Sequence, residues 1–364
     1  MGTVRHFQPT DIIPVADLFQ KVFRRGAQRS SPSLQSYFEK LYFSHPSYDE
    51  SMSSLVYVDE KNNVRGFIGG LSTEFEFKKR KVTALVAGSH MVDPDLKDPI
   101  AGALLLREFT SGPQDFTYTD TANSISIELW RAIGGDLLFP YSTQWVYPLR
   151  PGYLFNVRLK NHRGGDVLSW LSYPACRLVD VIHKRVLACA SDENVCRLRG
   201  KELDANAMFN SFETFRNHRA LFPSYGIKEL NWRLSLAESK QKNGKLFKIA
   251  VFDKEKLQGW YLVYIRDGEE AHVLQLIAHP ASLKHVLNHL FTTAQTHGCS
   301  AIHGDVDPKY LVQFRQAGCD DFHVGGMAML HTQDPEIRNA ILSGDAYISA
   351  LEGERWTRLQ ADEF

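Results

Sequence analysis

The chain has 364 residues, 43% of them hydrophobic and 23% charged, and its 42 Lys and Arg balance its 42 Asp and Glu. This length and composition predict a soluble globular protein of about two domains. The balanced charge excludes an overall field that would attract nucleic acid or an anionic membrane, so no nucleic-acid partner is expected. No apolar run approaches the roughly 20 residues of a membrane span. No basic amino-terminal segment precedes an apolar core, so neither a signal peptide nor an anchor is expected. The five cysteines are odd in number and lack a C-x-x-C pair, so we expect reduced thiols in a cytoplasmic protein.

The amino-terminal elements alternate between helical and strand patterns. Apolar residues recur at helical spacing from Ile12 to Phe23, and Thr10 or Asp11 can cap this helix. The predicted elements are a strand at 4–7, helices at 10–23 and 30–48, and strands at 54–59, 64–72 and 73–77. The strand predictions rest on short runs of β-branched and aromatic residues separated by turn residues.

The central stretch, residues 82–135, carries the main chemical signal. We predict a strand at 82–92, a helix at 100–109, a strand at 115–120 and a helix at 123–135. The first of these helices follows the turn at 93–99, so its free backbone N–H groups and partial positive charge favour an anion such as a pyrophosphate. A last strand at 141–149 is expected to close the domain.

Two motifs in this stretch resemble those of the GNAT acyltransferase superfamily. The first is V-x-P-x-x-R-G-x-G-[IV]-[GA]-x-x-L-L. It is matched by Val92, Pro94, Ile100, Ala101, Leu104 and Leu105. In this chain Lys97 replaces the arginine, Asp98 and Pro99 replace glycines, and one residue is missing. Glycines let a pyrophosphate approach the backbone closely, so their replacement alters the anion cradle.

The second motif, N-x-x-A-x-x-L-Y-x-x-x-G, needs no gap. Asn123, Leu129 and Gly134 match it, and Trp130 stands where the family has tyrosine. The resemblance implies an α/β (α+β) fold, acetyl-CoA or another acyl-CoA as co-substrate, and no metal. The residues that it implies for CoA binding are Met91, Val92, Lys97, Ile100, Ala101, Gly102, Ala103, Asn123, Ser126 and Trp130.

Acyl transfer needs a base for the acceptor, a strand N–H that polarises the thioester carbonyl, and an acid for the departing thiolate. For the base, His90 and Ser89 are the candidate catalytic residues, because they lie beside the strand end where the carbonyl should sit and a histidine titrates in the useful range. An indole is not an acid of useful pKa. Trp130 therefore cannot replace the usual tyrosine, and Tyr118 is the candidate acid. Tyr141 and Ser126 are alternative acids, and Glu74 and Glu76 are alternative bases.

An internal repeat organises the second half. The segments at 246–265, 271–280, 282–296, 301–306 and 309–319 follow the same order of hairpin, strand, helix, strand and helix as the first half. The repeat predicts two tandem GNAT-like units, each with a mixed central sheet flanked by helices. The second copy has no glycine in its strand-to-helix turn, so it is expected to be degenerate. His303, Asp305 and Asp307 could suit a metal by spacing, but a polar strand end is the preferred interpretation.

The predicted domains are an amino-terminal GNAT-like domain at 1–150, a helical connector at 151–200, a degenerate GNAT-like domain at 201–332 and a tail at 333–364 that docks on the core. Within the connector, residues 166–190 have apolar side chains at helical spacing and an interrupting Pro174. We expect this helix to be packed against the domains. A membrane-surface helix is the less favoured alternative, because its polar face carries few cations.

Together these features predict a bacterial acyltransferase that moves an acetyl or acyl group from acyl-CoA to an amine or hydroxyl of a small molecule or sugar. Two alternatives stay open. The chain could be a tandem GNAT-fold binding or assembly protein without catalysis, since Trp130 and the missing glycines depart from the family. It could also be a Fem-like aminoacyl transferase, which the stretch at 229–234 weakly resembles.

Overall fold

The computed structural model describes residues 2–24, 29–160, 165–190 and 198–357. None of the described helices combines the length and apolarity needed to cross a bilayer. Cys176, Cys299 and Cys319 are buried free thiols, whereas Cys196, the side chain of Cys189 and the end of the expected tail, 358–364, lie outside the described part.

Fifteen strands and eleven helices make up the described chain. The strands are β1 (Thr3–His6), β2 (Leu55–Val58), β3 (Val64–Phe77), β4 (Arg80–Val92), β5 (Phe116–Ala122), β6 (Asp136–Leu137), β7 (Thr143–Pro148), β8 (Leu198–Glu202), β9 (Leu221–Pro223), β10 (Lys245–Asp253), β11 (Lys256–Ile265), β12 (Glu270–Ala278), β13 (Ala301–Asp305), β14 (Asp321–Val324) and β15 (Met327–His331). The helices are α1 (Ile12–Phe23), α2 (Pro32–Tyr42), α3 (Ala101–Thr110), α4 (Ser124–Ala132), α5 (Pro151–Lys160), α6 (Gly165–Ala190), α7 (Ala205–Arg216), α8 (Ile227–Glu238), α9 (Leu283–Thr296), α10 (Leu311–Gln316) and α11 (Pro335–Leu342).

The first compact unit comprises 1–142, 212–237 and 325–364. Its sheet has the order β1-β2-β3-β4-β5-β15-β6, with β9 paired to β3. All pairs are antiparallel except β4 and β5, which are parallel. One face packs on α3 and α4 through a core that includes Leu105, Phe109 and Trp130. Strands β3 and β4 are long and largely apolar. A strand that is buried on both faces does not need alternating polar and apolar residues, so these sequences fit a sheet covered on both sides.

The second unit comprises 143–211 and 238–324. Its sheet has the order β14-β7-β13-β12-β11-β10-β8, and its one parallel pair is β12 with β13. A core of aliphatic and aromatic side chains, among them Trp145, Tyr147 and Phe291, lies between this sheet and α9. Two mixed sheets flanked by helices confirm the expected α/β class.

The division of the chain differs from the contiguous domains expected at 150, 200 and 332. The strand expected to close the first sheet is β7, and it pairs instead with β13 and β14. Its place beside β5 is taken by β15, which comes from the carboxy-terminal part of the chain. The strands expected at 64–72 and 73–77 are a single strand, β3. Local sequence patterns do not encode which of two similar sheets a terminal strand joins.

The expected connector also differs from its prediction. Helix α6 continues through Pro174, and many of its apolar side chains are exposed, including Trp170 and Leu171. Periodicity predicted the helix correctly, but it did not reveal that the apolar face remains in contact with solvent.

A buried polar network lies under the second face of the first sheet. The Arg233 guanidinium, on α8, donates to Glu229 Oε1 at 2.8 Å, to Thr73 Oγ1 at 2.6 Å and to the Leu351 carbonyl at 2.7 Å. The side chains of Arg233 and Glu229 are only 1% and 3% exposed. Ser47 donates to the other Glu229 oxygen. Buried charges are tolerated when every polar atom has such a partner.

We predict that Arg233→Met will lower the free energy of unfolding by about 3–5 kcal/mol, because it leaves the Glu229 carboxylate buried without its cation. Urea denaturation of the full chain measures this change. The control is Arg266→Met, which removes a surface partner of Glu269 and should cost less than about 1 kcal/mol. Equal effects of the two substitutions would contradict the assigned role of the network.

Candidate active site

A β-bulge interrupts the pairing of β3 and β4. Phe67 pairs with Met91 and Gly69 pairs with Gly88, so Ser89 and His90 together face the single residue Ile68. Ser89 has a φ of 48°, in the left-handed region that non-glycine residues seldom adopt. Such bulges redirect backbone groups and are common beside active sites.

Strands β4 and β5 separate at the same level. Their parallel pairing joins only Ala84–Val86 with Phe116–Tyr118. Beyond these residues β4 continues to Val92 and β5 to Ala122, with no further pairing between the two strands in this described stretch. We call the resulting opening the fork. Within the fork, backbone N–H and C=O groups of β4 and β5 do not bond across to the other strand. Other parts of the chain must therefore supply their hydrogen-bond partners.

Helix α3 begins beside the fork. Its N-cap residue, Ile100, makes no side-chain capping hydrogen bond. A β-carbon on Gly102 would lie 3.7 Å from His90 Nε2 and 3.5 Å from Val92 Cγ2, which are ordinary contacts. The His90 Nε2 atom is buried and has no hydrogen-bond partner among the residues that the structure describes. The first turn of α3 and the Nε2 atom of His90 therefore lie next to each other.

The side chain of Asp98 modifies the electrostatics of this helix start. Its carboxylate accepts hydrogen bonds from the backbone N–H of Ile100 at 3.2 Å and from the Tyr57 hydroxyl at 2.5 Å. A carboxylate is stabilised at a helix N-terminus by the same field that favours a phosphate. Asp98 therefore competes with an incoming anion, whereas Lys97 is exposed next to it.

Helix α4 begins as its sequence predicts. Asn123 is the N-cap residue, and its side chain accepts the Ser126 N–H at 2.9 Å. Trp130 is 1% exposed and belongs to the core between α3, α4 and the sheet. The indole therefore fills space in the core rather than presenting a polar group to the fork.

The carboxy-terminal segment, residues 346–357, supplies a carboxyl group to the fork. The Thr121 hydroxyl donates to Glu354 Oε1 at 2.5 Å, and the Ser89 backbone N–H also bonds to this carboxyl group. Gly88 is essential to this arrangement, because a β-carbon there would collide with Glu354 Oε2. The segment is held by Asp120, whose carboxylate accepts the backbone N–H groups of Glu354 and Arg355.

The environment of Glu354 shifts its proton affinity. Burial, together with the nearby negative charge of Asp120, raises the pKa of the Glu354 carboxyl to about 8, although the Thr121 hydroxyl and the Ser89 N–H oppose the shift. A carboxyl group that titrates near neutral pH is suited to general acid–base chemistry.

Tyr42, from α2, also reaches the bulge, because a β-carbon on Gly69, the partner of Gly88, would collide with its hydroxyl. Its hydroxyl bonds to Ser89, and burial together with the charge of Glu354 raises the Tyr42 pKa. The phenol therefore stays protonated at neutral pH. Ser89, Tyr42, Thr121 and Glu354 thus form a compact group of hydrogen-bonding side chains around one backbone N–H.

The predicted catalytic residues have distinct environments. Burial lowers the pKa of His90 to about 4, against the opposing effect of the Gly102 backbone, so the imidazole is neutral and weakly basic. The Tyr118 hydroxyl donates to the Glu352 carbonyl at 2.6 Å, and burial raises its pKa. The alternative acid, Tyr141, donates to the Ala346 carbonyl.

The other predicted residues are distributed around the fork and the start of α3. Met91 and Ala101 are buried, Val92 packs on the core, and Ile100 is partly exposed. The alternative bases lie at the far end of the strand pair, where Glu74 pairs with Lys81 and Glu76 with Arg216. Sequence reasoning missed Glu354 and Tyr42. No motif marks either residue, because Glu354, in the tail, and Tyr42, on α2, reach the bulge only through contacts between distant parts of the sequence.

The polar strand end of the second unit has other partners. His303 Nε2 lies 3.0 Å from Glu270 Oε2, and its ring stacks on His272. Among the described residues, no group of three or more His, Cys, Asp or Glu side chains has the arrangement needed to hold a metal ion.

No protein-family model and no curated protein sequence matches this chain. Solved structures do resemble it. A probable N-acyltransferase from Enterococcus faecalis aligns with a TM-score of 0.59 and 10% identity over 94% of this chain and 74% of that one. A GCN5-related N-acetyltransferase from Kribbella flavida gives 0.57 and 13% over 92% and 71%.

A more distant likeness is to Saccharomyces cerevisiae N-myristoyltransferase with bound myristoyl-CoA, with a TM-score of 0.50 and 11% identity over 91% of this chain and 79% of that one. At these identities the likenesses establish the fold alone. The chain has the fold of GCN5-related N-acetyltransferases, which confirms the fold that the two sequence motifs implied.

The raised pKa of Glu354 predicts a pH-dependent stability. Between its ordinary value of 4.5 and about 8, the native state holds a proton that the unfolded chain has lost. The free energy of unfolding therefore falls as the pH rises through this window, by at most about 1.4 kcal/mol per pH unit. Compared with wild type, Glu354→Gln should lose this dependence in urea denaturation at pH 5 to 8.

The matched control is Glu336→Gln, which alters an exposed carboxylate that pairs with Lys78 at the surface. This variant should follow the wild-type pH dependence. If Glu354→Gln and wild type showed the same slope, the environment assigned to Glu354 would be incorrect.

Proposed function

We propose that the first unit is an acyl-CoA-dependent acyltransferase that acylates an amine or hydroxyl of a small molecule or sugar. The observation that carries the proposal is the fork between β4 and β5, with the Ser89 bulge on one strand and a carboxyl group of raised pKa beside it. An acyltransferase needs a hydrogen-bond donor for the thioester carbonyl and a base for the acceptor next to it. The solved acyltransferases with this fold support the same activity.

The residues at the start of α3 suit the pantetheine and phosphate end of acyl-CoA. A β-carbon on Gly102 would make only ordinary contacts with Val92 and His90, and the first turn of α3, which has no side-chain cap at Ile100, favours a negative charge. The neutral His90 imidazole has an unpartnered nitrogen that can bond to a polar group of the substrate. Lys97 adds a cation, and Asp98 weakens the site. These features predict moderate rather than tight binding of CoA.

The proposed base is Glu354, not His90. A His90 pKa of about 4 makes the imidazole a weak base, whereas the Glu354 carboxyl, with a pKa of about 8, is in its ionised form the stronger base for an acceptor amine or hydroxyl. The ionised form becomes the main form only as the pH approaches 8. In the free protein the carboxyl group bonds to the Ser89 N–H. When a thioester carbonyl takes that N–H, Glu354 becomes available to the acceptor. The proton that Glu354 takes from the acceptor is the proposed source for the departing thiolate, in place of the family tyrosine that Trp130 replaces. Tyr42, which its raised pKa keeps protonated, donates only a hydrogen bond.

We also propose that the two units are tandem copies. Their sheets share one pairing pattern, in which β2-β3-β4-β5-β15-β6 corresponds to β10-β11-β12-β13-β7-β14, with the single parallel pair at the same place. The sequence order of the last two strands differs between the sheets. In the first sheet β15 comes later in the sequence than β6, whereas in the second sheet β7 comes earlier than β14. The absence of glycine from the turn before α9 supports a degenerate second copy. A bacterial source and a cytoplasmic location stay predictions.

A second candidate function is binding without catalysis. It is favoured by the occupied state of the fork, because the Ser89 N–H and the Tyr118 hydroxyl are already used within the protein. Aminoacyl transfer from a charged tRNA also stays a prediction. Release of free CoA thiol with any amine, hydroxyl or sugar acceptor would exclude both alternatives.

We predict that acetyl-CoA or myristoyl-CoA binds with micromolar affinity and that Gly102→Glu weakens this binding at least about tenfold, because a carboxylate enters the proposed anion site. Isothermal calorimetry measures the binding. Ser111→Glu is the control, since it adds the same charge at the opposite end of α3. No binding of either thioester to wild type would overturn the proposed donor site.

We predict that Glu354→Gln lowers kcat by about a hundredfold to ten-thousandfold, the usual contribution of a general base. In wild type, kcat/KM should increase with pH up to about 8, where Glu354 loses its proton. The variant should lose that increase while acyl-CoA still binds. Glu336→Gln should retain both the rate and the pH profile. Unchanged kcat in Glu354→Gln would exclude this base.

A further inference from the structure

Helices α5 and α6 form a hairpin whose outer surface is strongly apolar. Of the twenty exposed large hydrophobic side chains in the described residues, ten belong to this hairpin. They include Phe155, Leu168, Trp170, Leu171, Leu178 and Ile182, of which Trp170 is 76% exposed. Monomeric soluble proteins seldom leave so many neighbouring apolar side chains in water, so such a patch indicates a binding surface.

The contact between the two helices has the opposite character, because it is made by small and polar residues. Gly152 approaches the backbone of Cys176 so closely that a β-carbon would collide with the Cys176 carbonyl. Asn156 Nδ2 donates to the Ser169 carbonyl at 2.7 Å, and the Ser169 hydroxyl donates to Asn156 Oδ1 at 2.8 Å. Both Asn156 and Ser169 are buried.

Asp180 completes this polar interior. Its carboxylate accepts the backbone N–H of Gly152 at 2.7 Å and that of Tyr153 at 3.1 Å, and so satisfies the first turn of α5. The side chains of Asn156, Ser169 and Asp180 thus turn toward the contact between the helices, whereas the large apolar side chains named above face outward. In water, apolar side chains normally occupy the interior. Small residues and interhelical hydrogen bonds inside, with apolar groups outside, are typical of helices that pack in lipid.

The charge of this segment indicates which lipid surface it fits. Residues 150–190 contain seven Lys or Arg and two Asp, although the whole chain has a net charge of zero. Arg150 lies over the Tyr153 ring at 4.6 Å and Arg177 over the Tyr173 ring at 5.9 Å. Aromatic and basic side chains together are characteristic of the membrane–water interface, and an excess of basic residues in a segment favours anionic lipids.

We propose that the α5–α6 hairpin docks into the interfacial region of an anionic phospholipid bilayer, with Trp170 and the neighbouring apolar side chains among the acyl chains. The hairpin lies within the surface layer, because neither helix is long and apolar enough to cross a bilayer. A second copy of the chain is the other occupant that such a surface could take. It would not account for the excess of positive charge, because identical basic surfaces repel one another.

The test is flotation of the full-length protein with vesicles of phosphatidylcholine alone and of equimolar phosphatidylcholine and phosphatidylglycerol. We expect binding to the anionic vesicles that weakens as the salt concentration rises. The double variant Trp170→Glu and Leu171→Glu should reduce the partition coefficient at least about tenfold, because two inserted apolar groups become charged.

The matched control is Leu311→Glu with Val312→Glu, a pair of adjacent exposed apolar residues on α10 of the same unit. This variant should bind vesicles as wild type does, and circular dichroism should show that both variants are folded. Absence of wild-type binding to anionic vesicles, or equal loss in both variants, would overturn the proposal. A lipid-free oligomer that becomes monomeric only in the hairpin variant would overturn it too, since a second copy would then cover the surface.

Discussion

The early end of the parallel pairing between β4 and β5 is the constraint on which the first unit depends. Continuous pairing would satisfy every backbone group of both strands and leave no opening. Instead the strands separate after three paired residues, and the bulge at Ser89 turns a backbone N–H toward the gap. This N–H needs a hydrogen-bond acceptor from outside the strand pair. In the free protein the carboxy-terminal segment supplies it, through the Glu354 carboxyl group.

The carboxy-terminal segment also links the fork to the buried network under the sheet. The Arg233 guanidinium donates to the Leu351 carbonyl, and the Glu352 carboxylate accepts hydrogen bonds from Tyr225 and from Ser349. These contacts fix the backbone on which Glu354 is carried. A carboxyl group held by a rigid, satisfied network can keep a raised pKa, because the surroundings do not relax around its charge. Structural and proposed catalytic roles therefore share one segment.

Much of the first unit could be predicted from its sequence. The Asn123 cap, the helix at Ala101–Thr110 and the strand at Arg80–Val92 follow from local residue preferences, and the structure has each of them within two residues. The exchange of β7 and β15 could not be predicted, because both strands have similar apolar patterns. Glu354 could not be predicted either. Its contact with Thr121 joins residues 233 positions apart, and its raised pKa arises from surroundings that only the folded chain assembles.

The central claim, that the fork takes an acyl-CoA thioester, is tested most directly by hydrogen exchange of the full-length protein with and without acetyl-CoA. The account predicts slower exchange of the amides at Ser89 to Met91 and in the first turn of α3, together with faster exchange near Glu354 as its carboxyl group leaves the Ser89 N–H. Unchanged exchange at the bulge, in the presence of saturating thioester, would contradict the claim.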